Sequence, residues 1–315
     1  MRHLFIVNPK AGVKNASNNT IEEINKLFSG LDYDIHQTCA RGDATLFTKE
    51  YLSEHKDEVV RVYACGGDGT MNEVAVAMQG FTNSELAVYP VGSGNDFLKY
   101  YGLESISSFK DLQKLKDGKA SFIDLIKVGD NFAVNEFNIG FDANVVVKQA
   151  KIKKWPLVSG KLAYDIGVLA AFLGKIRSTY KITIDDKVVY EGVALLGAVM
   201  NGGYYGGGYY CAPLAKVDDG LLDFCMVKDV KKTKFLGLIN DYKSGNHINE
   251  SSKAYPYIIH ERGKKIRIEI DKDWPYSLDG EIYYTKDVTV EVVPNAIKFV
   301  LPSDLIEKNN KVEEK

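Results

Sequence analysis

Apolar runs that end in glycine, asparagine and proline dominate the first third of this chain. His3-Leu4-Phe5-Ile6-Val7 leads into Asn8-Pro9-Lys10-Ala11-Gly12. Val59-Val60-Arg61-Val62-Tyr63-Ala64-Cys65 leads into Gly66-Gly67-Asp68-Gly69-Thr70. Leu86-Ala87-Val88-Tyr89-Pro90-Val91 leads into Gly92-Ser93-Gly94-Asn95-Asp96-Phe97. Short continuous apolar runs of this kind predict buried strands of a parallel sheet. Between them the period turns helical. Ser17 to Thr20 offer caps before Ile21, Ile24 and Leu27, Ala44 to Glu54 carries Leu46, Phe47, Tyr51 and Leu52 on one face, and Met71 to Met78 predicts a helix directly after the second glycine loop. Alternation of strand and helix over the first ~125 residues predicts α/β layering.

After Ile123-Asp124-Leu125-Ile126 the pattern changes. Phe132 to Phe137, Tyr180 to Ile184, Val188 to Met200, Leu221 to Val227 and Lys265 to Ile270 read as strands, with Asp185-Asp186 and Asp279-Gly280 as turn pairs. They predict a second, antiparallel β domain with one helix, roughly Ser159 to Arg177. Val288 to Val293 and Ile297 to Leu301 are strand-like, but the residues alone leave their domain open. Glu307 to Lys315 reads as a solvated, disordered tail.

Composition narrows the function classes. The chain has 315 residues, with 40 Lys+Arg against 42 Asp+Glu and a formal net charge of −2, which argues against a nucleic-acid binder. The start breaks into a turn too early for a secretory signal, and Ile166 to Gly174 is less than half of the ~20 residues that a membrane span needs. Cys39, Cys65, Cys211 and Cys225 show no paired spacing, so a reducing cytoplasm is the simple reading.

Chemistry enters at the glycine loops. Glycine lets backbone approach a phosphate chain closely, and a helix start adds N–H groups and a positive dipole end. Asp68 inside such a loop would be repelled by bare phosphates, so a bridging Mg²⁺ is its natural partner. A tight turn with nothing bound is the plain alternative for one loop. Three loops at the carboxyl ends of parallel strands converge on one crevice instead, where Asp68 and Asp96 are expected to face one metal–phosphate group.

These three loops resemble the ATP-site motifs of the diacylglycerol kinase catalytic-domain family. That family includes soluble bacterial diacylglycerol kinases, YegS/BmrU-type lipid kinases, and sphingosine and ceramide kinases. The resemblance continues through Asn138-Ile139-Gly140-Phe141-Asp142, Asn201-Gly202-Gly203 to Gly206-Gly207-Gly208, Ala212-Pro213 to Asp218-Asp219-Gly220-Leu221, and Leu278-Asp279-Gly280-Glu281. It spans nearly the whole chain, although the Gly66 to Gly69 element alone also occurs in NAD kinases. It implies a Rossmann-like α/β nucleotide-binding domain at 1–125, completed by 290–305. A mainly antiparallel β-sandwich domain at 126–289 would take the lipid, with a disordered tail at 306–315.

The resemblance also implies roles. ATP would meet Asn8, Pro9, Lys10, Ala11, Gly12 and Thr38, then Gly66, Gly67, Asp68, Gly69, Thr70, Met71, Asn72 and Glu73, and finally Ser93, Asn95 and Asp96. Ser93 stands where the family often has Thr. Glu281 would be the proton acceptor, with Asp68 as the competing base. The carbonyls of Lys216 and Leu221 and the side chain of Asp219 would hold a second, structural Mg²⁺. The activity implied is transfer of the γ-phosphoryl of ATP–Mg²⁺ to a lipid hydroxyl, with diacylglycerol giving phosphatidate as the leading case. The hydroxyl would meet Glu281 between the domains.

Lys148, Lys151, Lys153 and Lys154 before Trp155 suit an anionic membrane surface, or equally a solvated helix end. Tyr204, Tyr205, Tyr209 and Tyr210 would line a lipid cleft or simply pack. The five histidines show no ligand spacing. The expectation is a cytoplasmic enzyme that associates peripherally with membrane, with a homodimer left open. The rivals are an NAD kinase and a non-catalytic nucleotide or lipid sensor on the same fold.

Overall fold

The computed structural model describes residues 1–12, 15–92, 94–140, 143–144, 147 and 177–306. The chain divides into two compact units, one of Met1–Asp124 with Pro294–Lys315 and one of Leu125–Val293.

The first unit is built on parallel strands. β1 (Arg2–Val7), β2 (Tyr33–Gln37), β3 (Val60–Gly66) and β4 (Ser84–Pro90) alternate with α1 (Ala16–Leu27), α2 (Asp43–Glu54) and α3 (Asp68–Ala77). β1 lies between β2 and β3, and β3 between β1 and β4, all parallel. A late strand adds to the other side of β4, with Lys298 opposite Glu85 and Phe299 opposite Leu86. All of β3 is buried, as a central parallel strand requires. Connection from β1 leads outward to β2, then back across to β3. The strand order therefore reverses between β1 and β3, and ligands of open α/β sheets bind beyond the strand ends at such a reversal.

Two local readings change. Ser17 to Thr20 lie inside α1 rather than capping it, and the Thr20 hydroxyl bonds back to the Ala16 carbonyl at 2.9 Å. α3 begins at Asp68, within the glycine loop, not after it.

The second unit starts on β5 (Lys119–Val128), then β6 (Asn131–Ala133), β7 (Glu136–Gly140), β8 (Ser178–Ile184), β9 (Lys187–Met200), the short pair β10 (Tyr204–Tyr205) and β11 (Tyr209–Tyr210), and β12 (Leu222–Lys228). β13 (Ile258–Gly263), β14 (Lys265–Leu278) and β15 (Glu281–Leu301) complete it, and β15 continues into the first unit from Pro294. Pairing within this unit is antiparallel. The long strands change partners along their length. The first part of β9 pairs with β8 and the rest with β7 and β12, while β14 pairs first with β8 and then with β7. Phe137, Ile139, Ile182, Val199, Phe224, Ile268, Leu278 and Val290 fill the interior.

The expected strand at Phe132 to Phe137 is broken in two. Between its halves the amides of Val134, Asn135 and Glu136 donate to the carboxylate of Asp279 instead of to a neighbouring strand. A helix at Lys232–Lys243 joins the unit, although the sequence reading placed none there. Its buried Phe235, Leu238 and Tyr242 follow helical spacing. The reading of Ser159 to Arg177 as a helix lies outside the described residues apart from Arg177. Ile306, expected to open the tail, closes a helical turn at 303–306.

His3 sits in the β1 core against Phe28 and Tyr63, with Nδ1 3.1 Å from the Tyr63 hydroxyl. Burial, and then the nearby Arg61 charge, lower its pKa to about 4. The folded chain thus refuses a proton that the unfolded chain accepts near 6.5. This contribution to stability is complete above about pH 6.5 and is lost as pH falls towards 4, by up to about 3 kcal/mol. Urea unfolding across that window should show a flatter pH dependence for His3→Gln than for the wild type.

Candidate active site

The loops after β1, β3 and β4 seal against one another in pairs. Asn8 Nδ2 donates to Thr70 Oγ1 at 3.1 Å, joining the first loop to the second. The amides of Val91 and Gly92 both donate to the Gly66 carbonyl, at 2.8 and 3.1 Å, joining the third to the second. A Cβ on Gly12 would lie 2.7 Å from Val91 Cγ1 and 2.8 Å from the Val91 carbonyl, so the first and third loops touch where only glycine fits. A Cβ on Gly92 would lie 2.7 Å from the Gly67 Cα, so those two backbones are in direct contact. Around Gly69, by contrast, an added Cβ meets nothing within 4 Å. That glycine is not demanded by the protein's own packing, and it stands in the first turn of α3.

Asp68 is the hinge of this arrangement. Its Oδ2 accepts the Asn95 amide and its Oδ1 the Asp96 amide, both at 2.8 Å. Burial and the charge of Asp96 push its pKa up, while the two amides oppose that shift. The carboxylate expected to face metal and phosphate therefore holds the third loop in place with both oxygens. Asp96 is itself buried and ion-paired with Lys99. Sequence reasoning passed over Lys99, although three residues on from Asp96 is contact spacing on a helical turn. Asn95 adopts φ +51° and ties its side chain to the Gly92 carbonyl at 2.9 Å.

The remaining nucleotide candidates divide. Asn8 Oδ1 accepts the Lys10 amide at 2.9 Å and shapes the first loop, leaving Pro9 and Lys10 exposed and Ala11 half-buried. Glu73 accepts the Gly42 amide at 3.0 Å and so fixes the turn before α2. The Thr38 amide donates to the Val7 carbonyl at the carboxyl edge of β1, beside the same loops. Met71 is packed in the core, and Asn72 is buried with no bonded partner for Oδ1. Ser93 lies outside the described residues.

α3 has Gly67 at its N-cap, so the N-cap residue brings no side chain to the amides of its first turn. Glycine-lined amides at a helix N-terminus form an anion site, and their position at the strand-order reversal suits a phosphate chain.

In the second unit, Asp279 and Gly280 take φ +45° and +85° and form a two-residue hairpin turn that closes on the pair Leu278 and Glu281. The Asp279 carboxylate accepts the amides of Val134 at 2.7 Å, Asn135 at 3.2 Å and Glu136 at 2.8 Å. Three donors on one side chain hold the turn, and with it half-buried Glu281, in a fixed place. Asp219 Oδ1 accepts the Leu221 amide at 3.2 Å, and Oδ2 meets the Arg262 guanidinium at 2.5 Å. Lys216 precedes this turn. Of the expected tyrosine lining, Tyr204 and Tyr210 stack at 4.2 Å and Tyr205 is buried. Lys148 to Trp155, and Phe141 and Asp142 of a resembled motif, lie outside the described residues.

Comparison with known proteins decides the family. The diacylglycerol kinase catalytic domain matches residues 2–128, and the YegS C-terminal NAD kinase beta sandwich-like domain matches residues 136–301. The chain belongs to the YegS-like lipid kinase family. It is 32% identical over 277 residues to a protein of Shewanella frigidimarina (strain NCIMB 400) named as a YegS-like lipid kinase, covering 87% of this chain and 85% of that one. It is 27% identical over 283 residues to the diacylglycerol kinase of Bacillus subtilis (strain 168), covering 89% of each. The crystal structure of a diacylglycerol kinase from Bacillus anthracis str. Sterne superposes with a TM-score of 0.69 at 25% identity, over 96% of this chain and 98% of the other.

Membership makes this lipid kinase a phosphotransferase with an alcohol group as acceptor. It also bears out the α/β plus antiparallel sandwich fold read from the sequence. Among the described residues no helix is long and apolar enough to cross a membrane.

The two glycines separate folding from ligand binding. Gly69→Ala should fold normally, gaining about 0.5–1 kcal/mol from the better helix former, yet weaken nucleoside triphosphate binding. Gly92→Ala should instead lose about 1–3 kcal/mol, because backbone cannot yield as a side chain can. Thermal melting and titration with a non-hydrolysable ATP analogue read the two effects apart.

Proposed function

We propose that this lipid kinase transfers the γ-phosphoryl group of ATP to the hydroxyl of diacylglycerol, giving phosphatidate, ADP and a proton. The observation that carries the nucleotide half is the three-loop cradle, with Gly69 open and the uncapped start of α3 beside it. Phosphoryl transfer depends mainly on positioning and charge neutralisation, and such a cradle supports both. Asn8 to Gly12, Thr38, Gly66 to Thr70, Ser93, Asn95 and Asp96 are the proposed nucleotide contacts, whereas Met71 is packed in the core and Glu73 holds the Gly42 amide. Mg²⁺ carried by the nucleotide would neutralise phosphate charge as the bond to the γ-phosphorus shifts. Since Mg²⁺ keeps several waters and binds through phosphate oxygens, it asks for few protein ligands. Asp68 and Asp96 are the carboxylates proposed to stand near its hydration shell, Asp68 holding two amides and Asp96 pairing with Lys99.

Glu281 is the proposed general base, removing the proton of the lipid hydroxyl as the oxygen attacks phosphorus. The fixed hairpin supports this assignment, since a base must stay within hydrogen-bond reach of its proton. Asp68 is the weaker candidate, because both of its oxygens already accept backbone amides. The second unit would take the lipid, and the enzyme would work as a peripheral protein at a membrane surface.

Transfer of label from γ-labelled ATP to lipids in mixed micelles, with Mg²⁺ present and NAD as a counter-substrate, tests this reading. Label in phosphatidate is expected. Glu281→Gln should lower kcat by about 10²–10⁴-fold with the KM for ATP nearly unchanged. Label in a different lipid would replace the substrate and keep the mechanism. Transfer to NAD alone, or binding without any transfer, would overturn the assignment.

A further inference from the structure

The second unit carries an ion-pair network around the turn where family resemblance put a structural Mg²⁺. Arg262 on β13 forks between two carboxylates. One guanidinium nitrogen lies 2.5 Å from Asp219 Oδ2, and Nε lies 2.9 Å from Asp223 Oδ2. Asp223 is 1% exposed, and its other oxygen lies 3.2 Å from His260 Nε2. Strand register explains the meeting. β12 places Asp223 directly opposite Arg262 and Cys225 opposite His260, so both basic side chains lie on the side of β12 that carries Asp223. The Asp219 turn, held by its own bond to the Leu221 amide, enters β12 one residue later.

These residues do not fit the implied ion. A divalent cation at the Lys216 and Leu221 carbonyls would use an oxygen of Asp219, where Oδ1 accepts the Leu221 amide and Oδ2 faces Arg262. A guanidinium already stands against the carboxylate that the ion would use, and a second cation there would be repelled. Arg is suited to this place because it stays charged and its planar fork spans two carboxylates at once.

We propose that Arg262 replaces the structural divalent cation in this protein, clamping the Asp219 turn onto Asp223, so that the second unit is held without a metal ion. Metal dependence is then confined to the nucleotide. Removal of the guanidinium leaves two neighbouring carboxylates without their common counter-charge, one of them buried. That pair becomes a site which a divalent ion fits.

Thermal melting of the full chain without nucleotide tests the proposal, in EDTA and in millimolar Mg²⁺ or Ca²⁺. The wild-type Tm is expected to be the same in all three. Arg262→Ala in EDTA should melt lower by about 5–15 °C, since loss of one partner from a buried pair is costly. Added Mg²⁺ or Ca²⁺ should restore a large part of that loss, and Arg262→Lys should fall between. If the alanine variant does not fold, titration of the wild type with Mg²⁺ alone in a calorimeter still decides. No binding heat supports the proposal. Stoichiometric Mg²⁺ binding, or a wild-type Tm that falls in EDTA and returns with Mg²⁺, would overturn it. So would an Arg262→Ala protein as stable as the wild type in EDTA.

Discussion

Contact between the backbones of Gly67 and Gly92 sets the geometry on which the proposed nucleotide site depends. β3 and β4 are neighbouring parallel strands, and their following loops leave the sheet side by side. With no Cβ on Gly92, the loops close to a distance that a side chain at that position would prevent. The Gly66 carbonyl can then accept both Val91 and Gly92, and Asp68 can reach the amides of Asn95 and Asp96. Two loops become one rigid lining, with the start of α3 exposed along it. An oriented, preformed set of amides is what positioning a polyphosphate requires.

Aspartates in this chain repeatedly act as acceptors for backbone amides at turns. Asp68 takes two successive amides of the third loop, Asp279 takes three at the start of β7, and Asp185 takes those of Lys264 and Lys265. Asp124 accepts Asn295 where β15 enters the first unit. A carboxylate that accepts several N–H groups satisfies donors which a tight turn would otherwise leave unpaired. Two of the most conspicuous acidic residues of the motifs, Asp68 and Asp279, thus serve geometry before chemistry. Glu281 and Asp96 stand next to them in the chain or in space, held by that scaffolding.

The second unit uses long strands to build an antiparallel core without extra connections. β9 and β14 each change partners midway, and each shift in register lies near a turn or an irregular stretch. Between β12 and β13, register sets Asp223 beside Arg262 and His260. Arg262 and Asp223 face each other there through register, so a one-residue slip would separate them.

Local chemistry and period determined much of this protein from sequence alone. Continuous apolar runs before glycine marked β1, β3 and β4. The loop composition raised the expectation of a phosphate site, and the ordered motifs identified the lipid kinase family. These signals are short-range, so each survives in a bare string of residues. Partnership across the chain was not legible. Nothing in the string told that Asp68 would be spent on the amides of residues 95 and 96, or that Asp279 would break the strand expected at Phe132 to Phe137. It also could not tell that Arg262 would stand beside Asp219, 43 positions away. A carboxylate looks the same in sequence whether it meets a metal, a proton or an amide. Only the tertiary packing decides, because strand register and loop contact determine which donor arrives first.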